Sequence, residues 1–146
     1  MAAITSNNYL TDWAWIRDIV GGQNLILRAE TALLYLQLFN GYLNEDRINV
    51  YARERGQYAN IAYYVVDRFD GIDYFLDGNV MCSSFNQAIN DMLADFDTAD
   101  EEALAQALSN YYHSNNESFA GLFIRPENSA NFEYMRNWAI EYYNES

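Results

Sequence analysis

Between Arg68 and Arg125 lie fifty-six residues that carry ten carboxylates and no lysine or arginine. Such a stretch cannot neutralise itself locally, and burying it wholesale would strand charge away from water. Its acids, Asp70, Asp73, Asp77, Asp91, Asp95, Asp97, Asp100, Glu101, Glu102 and Glu117, are therefore expected at the surface of whatever the chain folds into. The remainder is close to balance. Residues 1–66 hold six acids and five arginines, net -1, whereas residues 67–146 hold fifteen acids and three arginines, net -12, which together give the chain's -13. All eight basic residues are arginine, so the chain is lysine-free.

Acidity on this scale does not prevent folding, because 51% of the 146 residues are hydrophobic and Trp, Tyr and Phe number 3, 13 and 8. That is enough for a core in one compact domain. One cysteine, Cys82, excludes an intramolecular disulfide framework, and one histidine, His113, excludes the usual histidine-rich metal sites. We expect no metal and no cofactor. The opening MAAITSNNYLTDW has no basic region followed by an apolar one, and no apolar run is long enough to span a bilayer. The expectation is a cytoplasmic protein, within a host cell if the chain is phage-encoded.

Hydrophobic periodicity suggests an α+β order: N-terminal helices, a small antiparallel three-stranded meander, then C-terminal helices. The first helix runs from about 11 to 20, stopped by Gly21 and Gly22, and a second from about 24 to 40, apolar on nearly every face. Glu30, with apolar neighbours on both sides, stands out as a candidate functional carboxylate. Alternation in RINVYAR and β-forming residues in QYANIAYYVV place strands at about 47–53 and 57–66, read as a hairpin, with a third at about 72–76. Residues Tyr58 to Phe69 could alternatively be helical. Helices follow at about 83–96, capped by Ser83 or Ser84, at 99–113, where Thr98 and Glu101 form a capping box, and at 129–143.

Asp91 and Asp95 are four residues apart on one helix and repel at a cost of a few tenths of a kcal/mol. Asp100, Glu101 and Glu102 suit a helix N-terminus, but Asp91, Asp95 and Asp97 have no such local reason. With Asp70, Asp73 and Asp77 they make three acidic clusters that could converge on one surface. Carboxylates spaced 5 to 6 Å apart on a helix approximate successive nucleic-acid phosphates. In charge and size the chain resembles the DNA-mimic inhibitors that phages and mobile elements direct at restriction and CRISPR enzymes, a resemblance that involves no motif. It implies a non-enzymatic inhibitor whose partner is a nucleic-acid-binding protein, such as a nuclease or a CRISPR or restriction effector. The mimic surface would be Asp70, Asp73, Asp77, Asp91, Asp95, Asp97, Asp100, Glu101 and Glu102. A solvated, solubility-promoting face is the plainer explanation of the same acids.

Two other classes compete with this reading. The abundance of aromatics suits a structural or assembly protein, with a homodimer formed through Trp13 and Trp15 of the first helix and Phe132, Tyr134, Trp138, Tyr142 and Tyr143 of the last. A small hydrolase could use a carboxylate pair, a pattern of little specificity in so acidic a chain. The segments 95–102 and 70–73 lack the EF-hand spacing. His113 at a helix end reads as structural, and Cys82 near a helix start could be slightly acidified. The sequons at Asn116 and Asn144 have meaning only in a secreted protein. Arg47, Arg53 and Arg55 are the only basic cluster, more suited to surface ion pairs with Glu45, Asp46 and Glu54 than to RNA. Net charge argues against direct binding of nucleic acid or anionic membrane.

Overall fold

Leu25, Ile26 and Leu27, expected to open a long helix, instead form the central strand of a five-stranded sheet. The computed structural model describes residues 12–37, 47–58 and 60–142. In chain order the elements are α1 (Asp12–Val20), β1 (Leu25–Leu27), α2 (Ala29–Tyr35), β2 (Ile48–Ala52), β3 (Ile61–Val65), β4 (Tyr74–Asp77), β5 (Val80–Ser83), α3 (Phe85–Ala94), α4 (Glu101–Ser114), a 3-10 turn (Pro126–Asn128) and α5 (Ser129–Glu141). The fold is a single α+β domain with five helices among the described residues.

The sheet order is β3-β2-β1-β5-β4. β1 pairs antiparallel with β2 and parallel with β5, β2 pairs parallel with β3, and β4 pairs antiparallel with β5. This mixed sheet replaces the expected meander. The expected second helix is a strand and a short helix because Ala29 adopts φ +52 directly after Arg28, a left-handed conformation that breaks a continuous helix. Residues 38–46, the end of that expected helix and the loop after it, lie outside the described residues. The expected 47–66 hairpin is two parallel strands: Ile48 pairs with Ile61 and Ala52 with Val65, a register that no tight turn could join.

Register fixes the two faces of the sheet. Leu27, Val50, Val80 and Cys82 point to the helix-covered side and join Trp15, Ile16, Leu33, Ile89, Leu93, Leu104, Leu108 and Met135 in one core. On the other side Tyr64, Tyr51, Ile26, Met81 and Leu76 stand in one row across all five strands. The segment 66–73 runs from one edge strand, β3, to the opposite edge strand, β4. Ser84 caps α3, accepting from Gln87 N at 3.1 Å. Asp100, and not Thr98, caps α4, accepting from Ala103 N at 3.1 Å, while the Thr98 hydroxyl donates back to Asp95 O at 3.2 Å.

Candidate functional site

Arg28 leaves β1 and enters the space beside the row of sheet tyrosines. Its guanidinium carbon lies 4.9 Å from the centre of the Tyr51 ring and 4.4 Å from that of Tyr64, and the two rings meet edge to face at 5.5 Å. Cation–π contacts of this kind compensate a guanidinium for lost water. Arg28 is only 9% exposed, and its Nη2 reaches Asp95 Oδ2 at 3.4 Å. The negative charges of Asp91 and Asp95 help to hold its proton in place against burial.

α3 supplies the opposite wall. Asp91 is 6% exposed, which removes it from the expected acidic surface: the turn of α3 that carries Gln87 and Asp91 faces Tyr51 and the protein interior, not solvent. Gln87 Nε2 donates to Asp91 Oδ1 at 3.1 Å and to the Tyr51 hydroxyl at 3.4 Å. Burial pushes the Asp91 carboxyl above the usual carboxylate range, opposed by the Tyr51 hydroxyl, the Arg28 charge and the Gln87 amide. Tyr51 is itself pushed up to about 12, first by burial and then by Asp91. Asn90, one residue earlier on α3, places Arg125: its Oδ1 accepts from Arg125 N at 2.9 Å and its Nδ2 donates to Phe123 O at 2.8 Å.

Together these groups bound a cleft of about 340 Å³ that runs from Tyr51 and Tyr64 past Arg28 and Arg68 to Asp91, Asp95 and Arg125. Gly71 and Ile72 of the crossing segment form part of its rim. A smaller recess of about 80 Å³ adjoins it, sharing Arg28, Asp91 and Asp95 and adding Glu30, Asn49 and Asp100. Glu30, singled out by its apolar setting, is thus at a concave surface. Burial and the nearby Asp100 push its carboxyl up, against the Asn49 amide, which lies 3.4 Å from Oε1. Among the described residues no group of three or more His, Cys, Asp and Glu side chains could hold a metal ion.

Folding pairs part of the base-free stretch with arginines from elsewhere in the chain. Asp77 meets Arg17 at 3.1 Å and the Tyr35 hydroxyl at 2.6 Å, on the far end of β4 from the cleft. It therefore does not converge with the other acids. Asp70 meets Arg68 at 3.7 Å. Asp73 and Asp97 are exposed, and Glu102 is exposed beside the half-buried Asp100 and Glu101. The acids that gather at one place are those of the α3–α4 corner, 95–102, with Asp70 and Asp73 flanking the cleft through their neighbours Gly71 and Ile72.

The remaining candidates are structural. Cys82 is buried and its thiol is pushed up to about 12, the reverse of the expected acidification, because a strand in the core offers no charge to stabilise a thiolate. His113 Nε2 lies 3.3 Å from Ile140 O and ties α4 to α5. Arg47 precedes β2 while Arg53 and Arg55 follow it, so the strand separates the expected basic cluster; Glu45 and Asp46 lie outside the described residues. Trp15 is wholly buried and unavailable to a partner, and the side chain of Trp13 and all of Tyr143 lie outside the described residues. No helix of the described residues is long and apolar enough to cross a membrane. No known family model matches the chain, and no curated protein is detectably similar to it.

Proposed function

We propose that the protein is a non-enzymatic acidic inhibitor or adaptor that occupies the basic, nucleic-acid-binding surface of a partner protein, such as a nuclease or a CRISPR or restriction effector. The observation that carries this reading is the α3–α4 corner, where Asp97, Asp100, Glu101 and Glu102 follow one another within six residues and make no ion pair with any described residue. Asp95, Asp70 and Asp73 extend that corner along the cleft. Asp77 and Asp91 are withdrawn from the interacting set, the first engaged by Arg17 and the second buried. An acidic corner with no compensating cation gains most from an Arg- and Lys-lined partner, and gains it in a salt-dependent way.

The test is capture of partners from host lysate at low salt, followed by elution with DNA and, separately, with salt. Nucleic-acid-binding proteins released by both treatments are expected. The variant Asp73→Lys, Asp97→Lys, Glu102→Lys replaces three exposed acids and should lose that capture while keeping its circular dichroism spectrum. Undiminished capture by the triple variant would reduce the corner to a solvated face.

A second reading, self-assembly, is favoured by β4. It is an edge strand whose Tyr74, Phe75 and Leu76 are exposed, Leu76 at 67%, and an open apolar edge is a template for pairing with another strand. A homodimer would then form through β4 and not through α1. Light scattering at high micromolar concentration separates the two, since Leu76→Lys should abolish a β4-mediated dimer.

A further inference from the structure

We propose that the open edge of β4 takes up an extended apolar segment of the partner protein, flanked by basic residues, as a sixth strand of the sheet. The inference rests on the reading above and names how one part of the partner is held. β4 pairs with β5 on one side only and ends the sheet. Ser84 N donates to Asp73 O at 2.9 Å, so Asp73 and Ser84 form a hydrogen-bonded pair. Such pairs alternate with non-bonded ones along an antiparallel ladder. Phe75 and Asp77 are therefore turned toward Cys82 and Val80 of β5. The N–H and C=O groups of Tyr74 and Leu76 point to the open side, where no described residue hydrogen-bonds to them.

The side chains of this edge match an apolar strand. Tyr74 and Leu76 stand on the sheet face that carries Met81, Phe75 stands on the face that carries Cys82, and all three are exposed. An added strand would satisfy the free backbone groups and cover these side chains together, the combination by which sheet edges recognise extended peptides. Charge selects the occupant. β4 and β5 lie wholly within the stretch that has no lysine or arginine, and Asp73, exposed at the start of β4, makes no ion pair with any described residue. A second copy of the chain would bring -13 against -13. In the antiparallel register where Tyr74 and Leu76 of the two copies bond each other, it would also set Asp73 against Asp77. A strand with arginine at its ends meets the same edge with attraction.

The experiment is amide exchange and an NMR titration of the full chain with the peptide acetyl-Arg-Val-Thr-Val-Arg-amide. In the free chain the amides of Phe75 and Asp77 should exchange slowly and those of Tyr74 and Leu76 fast. Saturating peptide should slow Tyr74 and Leu76. The same peptide methylated on both valine nitrogens, and one with glutamate in place of arginine, should each bind at least fivefold more weakly. Leu76→Pro removes one outward N–H at a position where an edge strand tolerates proline, and should weaken the arginine peptide about fivefold, the worth of one backbone hydrogen bond. Leu76→Lys gives the same test if the proline variant does not fold. Equal binding of the methylated or glutamate peptide, unprotected Tyr74 and Leu76 amides, or full binding by the folded variants would overturn the proposal. So would protection of those two amides that rises with protein concentration in the absence of peptide, which would give the edge to a second copy. The two readings fail separately. Undiminished capture of a DNA-releasable partner by Leu76→Lys removes only the sixth strand, whereas peptide binding at β4 when no DNA-releasable partner exists removes only the inhibitor.

Discussion

Gln87 and Asp91, one turn apart on α3, share a hydrogen bond of 3.1 Å that turns a carboxylate toward the sheet instead of toward water. The same Gln87 accepts from Asp73 N at 3.0 Å through Oε1, so the start of β4 and the buried acid are tied to one side chain. Burial of Asp91 therefore belongs to the architecture that closes the cleft.

That burial fixes the sign of a pH dependence. A carboxyl whose folded pKa is raised binds its proton more tightly in the folded than in the unfolded chain, so its favourable contribution is complete below the unfolded value and is lost as pH rises through the folded one. Starting near the ordinary aspartate value of about 4, the stability of the wild type relative to Asp91→Asn should fall as pH increases. Urea denaturation of both proteins at a series of pH values checks this. A stability difference that grows in favour of the wild type with pH would show that Arg28 and Arg125 outweigh burial.

Asn90 holds the segment that delivers Arg125. It is 2% exposed and also receives Asn128 Nδ2 at 2.9 Å on Oδ1. Asn90→Ala deletes these bonds and leaves the backbone N–H of Arg125 and the carbonyl of Phe123 without their partner. A loss of about 2 to 4 kcal/mol is expected, since buried groups left unsatisfied cost about 1 to 3 kcal/mol each and some recover water. Hydrogen exchange should show residues 119–128 opening first, with the sheet amides protected.

The helices α1, α3, α4 and α5 were legible because each carries an apolar stripe and a polar break or cap at its end. The sheet was less so. β5 was missed although Gly78 and Asn79 form a two-residue connection between Asp77 and Val80, with Gly78 at φ +62 as such turns require. Its four residues, Val80 to Ser83, are too short for alternation to register. β1 is three apolar residues, which periodicity cannot distinguish from a helix. Glu30 was visible as a carboxylate in an apolar run, whereas Arg28, Tyr51 and Gln87 gave no local sign of a shared site, because strand pairing and the fold of α3 over the sheet end bring them together. Asp91 was misplaced for the same reason: spacing on one helix shows which residues share a face, not which face meets another element.

Tyr35, Arg17 and Asp77 join α2, α1 and β4 at the end of the sheet away from the cleft. The Tyr35 hydroxyl donates to Asp77 Oδ2 at 2.6 Å and accepts from Arg17 Nη1 at 3.0 Å. Its phenol is pushed up to about 12, by burial first and by the bond to Asp77 second. Tyr35→Phe should cost about 1 kcal/mol, the typical net worth of one such bond, and should remove one late-titrating tyrosine from an ultraviolet absorbance titration. Loss of a tyrosine that titrates near the ordinary value of about 10 would instead mean that the phenol is not held in this bond.

Cys82 gives a direct report on the core. Its side chain is fully enclosed between the sheet and the helices, with Sγ 3.4 Å from Ser83 O, and burial holds the thiol up to about 12. Only thiolate attacks a disulfide reagent. At neutral pH the native protein should therefore react with an aromatic disulfide far more slowly than the same chain in urea, where the thiol returns to about 8.5. Because β5 lies inside the sheet, access requires opening of the domain, and the rate should fall with added stability when closing outpaces modification. The Asn90→Ala variant then supplies a calibration: its lower stability should raise the modification rate if Cys82 is exposed by global unfolding. If Asn90→Ala lowers the global stability and the rate stays unchanged, the thiol is reached through a local opening of β5 that does not involve the Asn90 hub.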